Sequence, residues 1–174
     1  MELSYPLDNL IPEIISDENM YGSFDYVVQH LEYEEQRARY RPLREKYVQI
    51  LTDEIREGKF RIYREHVRDV HVKDGPKERD VQAPTVLKRV GIHAIMVVVE
   101  RYTYPSLIKN TAASIKGRGM HWMHHVIEDD LANVPLLMRY FWKSDIEHYY
   151  DNIDQSLMKG VLREYISDAV LLPM

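Results

Sequence analysis

The chain contains no cysteine, which excludes a disulfide framework and any metal site built from thiolates. No apolar run approaches the length of a membrane span, and the first residues show no basic stretch followed by an apolar one. We therefore expect a cytoplasmic protein with no membrane contact. A net charge of −5 over 174 residues argues against a protein that binds polyanions over its whole surface.

Acidic residues are also missing from one long stretch of the chain. No Asp or Glu occurs between Glu100 and Glu128, although the chain is acidic overall. The basic residues of this stretch are Arg101, Lys109, Lys116 and Arg118. A local basic patch is typical of a nucleic-acid-binding surface on a protein whose net charge is negative. A solvated basic face with no ligand gives the same pattern, and so both interpretations stay open.

The first third of the chain has a helical pattern. Residues 1–22 are expected to form a loosely structured lead-in. From Phe24 to Gly58 the sequence is rich in Glu, Arg and Gln, with apolar residues at helical spacing. Pro42 is expected to divide this stretch into two helices, and Gly58 to end the second one.

The middle of the chain changes to the alternating pattern of strands. Phe60–Tyr63 and Val67–Val72 alternate apolar and polar residues, and Glu78–Ala83 does so again after a turn-forming segment. Because Gly75-Pro76 lies between the last two segments, we predict a β-hairpin with its tip at this pair.

The second half is predicted to be mostly helical. An apolar segment over residues 85–100 is long enough for a largely buried helix, and a second helix is expected over residues 119–133. A third begins after Asp154, which is suited to cap it. Leu136–Trp142 is predicted to be a buried strand, because it is a short continuous apolar run.

Asp145 follows that predicted strand. A carboxylate at the end of a buried strand can hold a hard cation in a cleft. An Asp-Asn turn gives the same pattern for purely local reasons. The segment nevertheless resembles the first catalytic aspartate motif of bacterial reverse transcriptases of the group II intron and retron-like type. In it, Asp145-Ile146 is followed by Tyr149-Tyr150 and then by residues 151–154, with the sequence Asp-Asn-Ile-Asp.

Two upstream segments, in the order found in that family, extend the resemblance. The predicted hairpin tip, Lys73–Arg79, resembles the fingers hairpin that contacts the incoming nucleotide. Ala113–His121 contains Ser, Gly-Arg-Gly and His in sequence and resembles the loop that lies against the template strand.

The resemblance implies an α+β fold, with reverse-transcriptase fingers made of helices and a β-hairpin, followed by the first strand and helix of the palm. It divides the chain into an N-terminal helical extension (1–58), fingers (59–134) and a truncated start of the palm (135–174). Since the family's second metal motif, an aromatic-x-Asp-Asp turn, is missing, we expect part of a longer enzyme. This part is expected to be inactive by itself and to self-associate through the exposed edge of its palm strand.

The resemblance also implies a set of roles for individual residues. The activity would be RNA-directed DNA synthesis by two-metal phosphoryl transfer with Mg²⁺ or Mn²⁺, and the partners would be an RNA template, a DNA primer and a dNTP. The implied residues are Asp145 (catalysis and metal binding), the Ile146 carbonyl (metal binding), Lys73, Arg79 and Tyr150 (dNTP binding, with Tyr150 as sugar gate), and Lys116, Gly117, Arg118 and Gly119 (template binding).

Two other interpretations remain. A non-catalytic RNA-binding module would use the basic hairpin and the acid-free stretch without chemistry, and a purely structural helical domain would use neither. His121 and His125 are spaced to place two metal ligands on one helical face, but surface histidines have the same spacing. The acidic run at residues 128–130 is interpreted as solvated charge.

Overall fold

The computed structural model describes residues 7–147, 149, 152–168 and 171. The chain divides into two compact units, one formed by residues up to Arg101 together with those from Lys159, and the other by Tyr102–Met158. The division into fingers and palm rests on the sequence resemblance and stays a prediction. Among the described residues, no helix is long and apolar enough to cross a membrane.

The first unit begins with four helices. They are α1 (Ile11–Ile14), α2 (Asp17–Gln29), α3 (Glu34–Tyr40) and α4 (Arg44–Arg56). Pro42 lies in a short 3₁₀ turn between α3 and α4, and Gly58 follows α4 with a φ of 65°, which confirms a helix end at both places. The stretch from Phe24 to Gly58 nevertheless contains parts of three helices rather than the two predicted, because α2 ends at Gln29. The lead-in predicted for residues 1–22 is wrong from residue 11 onward. The Ser16 hydroxyl accepts a hydrogen bond from the Asn19 backbone N–H, which caps α2 ahead of its buried Met20.

The predicted hairpin is confirmed. Strands β1 (Val67–Asp74) and β2 (Lys77–Pro84) pair antiparallel from Val67 opposite Pro84 to Asp74 opposite Lys77. Gly75, with a φ of 61°, forms the tip with Pro76. The strand expected at residues 60–63 does not form, because Phe60 is buried in the core and the chain then enters a 3₁₀ turn at Arg64–His66.

The three helices predicted in the second half of the chain are also confirmed. They are α5 (Val86–Thr103), α6 (Met120–Asn133) and α7 (Gln155–Tyr165). Asp154 Oδ1 caps α7 by accepting hydrogen bonds from the backbone N–H groups of Ser156 and Leu157, at 2.8 and 3.1 Å. Bonding to the Ser156 hydroxyl, together with these two bonds, holds the pKa of Asp154 below its usual value.

The core of the first unit lies where α5 meets α2 and α4. Val90, Ala94 and Val98 on α5 are fully buried, as are Leu51 and Ile55 on α4. These five side chains form one apolar stripe on each helix at spacings of four residues.

Two close contacts mark the end of this core near Phe60. Lys88 is almost fully buried, and its Nζ lies 2.7 Å from Glu54 Oε2 and 4.7 Å from the centroid of the Phe60 ring. The same ring lies against Gly91, where a Cβ atom would stand 2.4 Å from Phe60 Cε2. Gly91 therefore makes room for the ring.

The first unit also joins its two distant chain segments directly. The Leu7 backbone N–H donates to the Tyr165 carbonyl, and the Ser167 N–H donates to the Leu7 carbonyl, both at 2.8 Å. The buried Leu10 N–H donates to Asp168 Oδ2 at 3.0 Å. Residues 7–10 are thus held by residues that lie about 160 positions later in the chain.

The strand predicted at Leu136–Trp142 does not form. Residues 134–146 are turns and irregular backbone, and Tyr140, Phe141 and Trp142 are 92, 93 and 91% exposed. Among the described residues β1 and β2 form the only sheet, so this apolar run has no partner strand to pair with. The expected self-association stays a prediction, and the exposed side chains of this run are apolar.

Candidate nucleic-acid interface

The predicted nucleotide contacts lie on opposite faces of the hairpin. Lys73 pairs across the ladder with Glu78, whereas Arg79 pairs with Val72. Since neighbouring residues of a strand point to opposite faces, Lys73 and Arg79 are not on one face of the hairpin. Lys73 Nζ also lies 3.2 Å from Glu78 Oε1.

The face that carries Lys73 has a network of mixed charge. His71 Nδ1 lies 2.8 Å from Asp80 Oδ1, and its Nε2 lies 3.5 Å from Glu78 Oε2. The bond to Asp80 raises the pKa of His71 above its ordinary value, and Glu78 adds to the effect. On this face the cations are matched by acids, which leaves little net attraction for a phosphate.

The opposite face of the hairpin combines basic and apolar residues. By register it carries Arg79 near the tip and Arg68 near the base, with Val70, Val72 and Val81 between them. Among the described residues, Arg68 forms no ion pair.

A groove opens at the base of this face. It has a volume of about 530 Å³ and is lined by residues of α3, β1 and α5 together with their flanking segments. Its cationic side chains are Arg39, Arg68 and Arg89, and Tyr40 stands beside them with the Arg39 guanidinium 5.9 Å from its ring centroid. Arg89, like Arg68, has no ion-pair partner within the described part of the chain. The three arginines and Tyr40, which we call the arginine groove, were not predicted as a site.

The arginine groove was missed because its members come from three elements. Because Arg68 alternates with Val70 and Val72, the sequence indicates that all three lie on one face of β1. Nothing in the sequence shows that α3 and α5 meet that face. Glu32 and Glu65 also line the groove, so its net positive charge is modest.

The predicted template-binding loop lies in the second unit, and Arg118 organises it. The Arg118 guanidinium donates to the carbonyls of Lys109 and Thr111, at 3.0 and 3.1 Å, and its carbon lies 4.9 Å from the centroid of the Trp122 ring. Arg118 is itself exposed, and its two hydrogen bonds tie residues 109 and 111 to the start of α6. Lys116 is exposed at the loop surface, where a phosphate could reach it.

The two glycines of this loop differ in their backbone. Gly117 has a φ of 78°, a conformation that favours glycine. Gly119 is extended and precedes the first residue of α6, so any residue can adopt its backbone. A Cβ atom added at either glycine would meet no neighbouring atom within 4 Å, and the loop surface is therefore open at both.

Asp145 lies in exposed irregular backbone. Its Oδ1 accepts a hydrogen bond from the neighbouring Ile146 N–H at 3.0 Å, and Ile146 is itself exposed. Tyr150, the predicted sugar gate, lies outside the described residues. Within the described part of the chain, Asp145 belongs to no group of three potential metal ligands. Asp145 would supply one of the carboxylates that a two-metal site needs, and its role in metal binding stays a prediction.

A different set of potential ligands comes together on α6. His124 Nδ1 and His125 Nδ1 lie 3.4 and 3.2 Å from the same oxygen of Glu128, Oε2. The sequence pattern places His121 and His125 on one helical face and indicates solvated charge at Glu128, but it does not indicate His124. The structure shows Glu128 joined to both neighbouring imidazoles.

A scan of the sequence against protein-family models finds no match, and a search of curated proteins finds none either.

Proposed function

We propose that this chain binds single-stranded RNA through the arginine groove and the Arg79 face of the hairpin, as the fingers and the start of the palm of an RNA-directed DNA polymerase. The observation that carries the RNA-binding part is the convergence of Arg39, Arg68 and Arg89 on one groove. The polymerase part rests on the order of the three reverse-transcriptase-like segments in the sequence.

The chemistry of the groove suits a single strand. Guanidinium groups form paired hydrogen bonds to phosphate oxygens, and none of these three forms an ion pair among the described residues. Tyr40 offers a ring on which a base can stack. Because Glu32 and Glu65 lie in the same groove, a strand can be held there at only a few phosphates, and binding should depend strongly on salt.

The test is fluorescence anisotropy with a labelled single-stranded RNA at several salt concentrations. Replacing Arg68 and Arg89 with alanine should weaken binding and lower the steepness of the salt dependence by about 1.4, since each lost phosphate contact removes about 0.7. Arg56→Ala is the matched control, because Arg56 is an exposed arginine of α4 paired with Asp53. Equal effects of the groove and control variants would refute the proposed interface.

A non-catalytic RNA-binding module is the second candidate. The observation that favours it is the position of Asp145, which lies in exposed irregular backbone with its Oδ1 bonded to the next amide. Such a module would bind RNA through the same groove and would need no metal.

Primer extension separates the two candidates. The complete gene product is given an RNA template, a DNA primer, dNTPs and Mg²⁺ or Mn²⁺. A polymerase should extend the primer and lose that activity in Asp145→Asn while still binding RNA. RNA binding without extension would support the module.

A further inference from the structure

The cluster of His124, His125 and Glu128 has the geometry of a metal-binding site. All three side chains are exposed, and their potential ligand atoms lie within 4.8 Å of one another. Helical spacing produces the arrangement, since His124 and His125 are four and three residues before Glu128 and so reach the same carboxylate from one side of α6.

The two distances from histidine nitrogen to Glu128 are close to those between neighbouring ligands of a tetrahedral ion. Zinc binds histidine nitrogen and carboxylate oxygen at about 2.0–2.2 Å, and the tetrahedral angle then separates neighbouring ligands by roughly 3.3–3.6 Å. The two nitrogen-to-oxygen distances of 3.4 and 3.2 Å lie close to this range. The two imidazole rings lie at 77° to each other, with their centroids 6.1 Å apart.

The donor set indicates which metal the cluster suits. Two imidazole nitrogens lie near one oxygen, Oε2 of Glu128. Two nitrogen donors and one oxygen donor suit zinc, nickel and copper, while magnesium prefers oxygen ligands. The cluster is therefore chemically distinct from the magnesium site implied by the sequence resemblance.

We propose that His124 Nδ1, His125 Nδ1 and Glu128 bind one Zn²⁺ ion, with the fourth tetrahedral position open to water. In this arrangement each imidazole carries its proton on Nε2, because the coordinating nitrogen must be free of a proton. The site lies on one helix, so the ion binds within a single chain. It does not depend on the proposed RNA binding.

The first test is calorimetric titration of the metal-free protein with Zn²⁺. One ion per chain is expected, and His124→Ala, His125→Ala and Glu128→Gln should each lower the association constant by about tenfold or more, the scale on which metal affinity responds to changes around the ion. All three residues are exposed, so the variants should keep the helical circular dichroism of the unaltered protein.

Matched variants separate this site from other histidines and acids. Asp129→Asn changes the next acid of α6, and His121→Ala removes the histidine one turn earlier. His71→Ala removes the histidine of the hairpin network. All three should leave zinc binding unchanged. Loss of binding in His121→Ala or His71→Ala, or its survival in His124→Ala and Glu128→Gln, would overturn the assignment.

Cobalt gives an independent readout of geometry. Co²⁺ in a tetrahedral site absorbs visible light strongly, whereas octahedral Co²⁺ absorbs weakly, and so the intensity should be high in the unaltered protein and low in Glu128→Gln. Weak absorption by the unaltered protein at saturating Co²⁺, or no zinc binding at all, would refute the proposal. Neither result would affect the RNA-binding measurement, which relies on residues of the first unit.

Discussion

The contact between Phe60 and Gly91 allows a quantitative test of how the first unit is packed. Replacing Gly91 with alanine would place a Cβ atom 2.4 and 2.7 Å from two atoms of the Phe60 ring and 3.0 Å from Leu51 Cδ2. Ordinary carbon contacts are about 3.5–4.0 Å. The ring therefore has to move by about 1 Å, although it is only 4% exposed.

Two effects of opposite sign decide the result. Forcing a methyl group into a packed core costs about 1–3 kcal/mol, and three simultaneous overlaps indicate the upper end of that range. Alanine in place of glycine inside a helix raises the free energy of unfolding by about 1 kcal/mol. We therefore expect Gly91→Ala to lower the free energy of unfolding by about 2 kcal/mol.

Urea unfolding followed by circular dichroism measures the change, and Gly22→Ala provides the matched control. Gly22 is also inside a helix of the first unit, but a Cβ there meets no atom within 4 Å. That variant should be more stable by about 0.5–1 kcal/mol, since only the helix term remains. A Gly91→Ala protein as stable as Gly22→Ala would show that Phe60 does not occupy the position described.

Three further predictions concern charged side chains. Lys88→Met should lower the free energy of unfolding by about 3 kcal/mol because it leaves Glu54 without its buried partner, and adding Glu54→Leu should recover most of the loss in denaturant unfolding. In an NMR titration the pKa of His71 should lie above 6.5 and fall in Asp80→Asn, and an unchanged pKa would contradict the contact. The contribution of protonated His71 to stability is fully present below pH 6.5 and is lost as the pH rises through the raised pKa. Arg118→Ala removes the two hydrogen bonds that hold its loop, so limited proteolysis should cut the loop faster than in the unaltered protein, and an equal rate would refute that role.

The elements that sequence analysis predicted are those specified by local chemistry. Pro42 lacks an N–H and interrupts a helix wherever it lies, and Gly75-Pro76 forms a tight turn regardless of distant residues. Asp154 can cap α7 with bonds to residues two and three positions later. Such signals depend on few neighbours and can therefore be recognised in a single sequence.

The local helix cap at Ser16 was overlooked, whereas the other wrong predictions concern contacts between distant residues. An apolar run such as Leu136–Trp142 becomes a strand only if another strand pairs with it, and the sequence does not show whether one is present. Likewise, the arginine groove depends on the meeting of α3, β1 and α5. The contact between the Arg118 guanidinium and the Trp122 ring depends on how the loop before α6 folds. The roles implied for Asp145 and Lys73 stay predictions, since exposure and register alone do not assign a ligand.

The link between residues 7–10 and 165–168 has a consequence for the time at which this protein can finish folding. A ribosome adds about 5–20 residues per second, so Leu10 waits roughly 8 to 30 s before Asp168 is synthesised to accept its N–H. Bringing together partners 158 positions apart also costs about 2.4 kcal/mol more chain entropy than closing a ten-residue loop. During synthesis residues 7–10 therefore lack these partners until residues 165–168 have been made, although Glu13 and Asn19 can already contact α5 through Arg101 and Ala94.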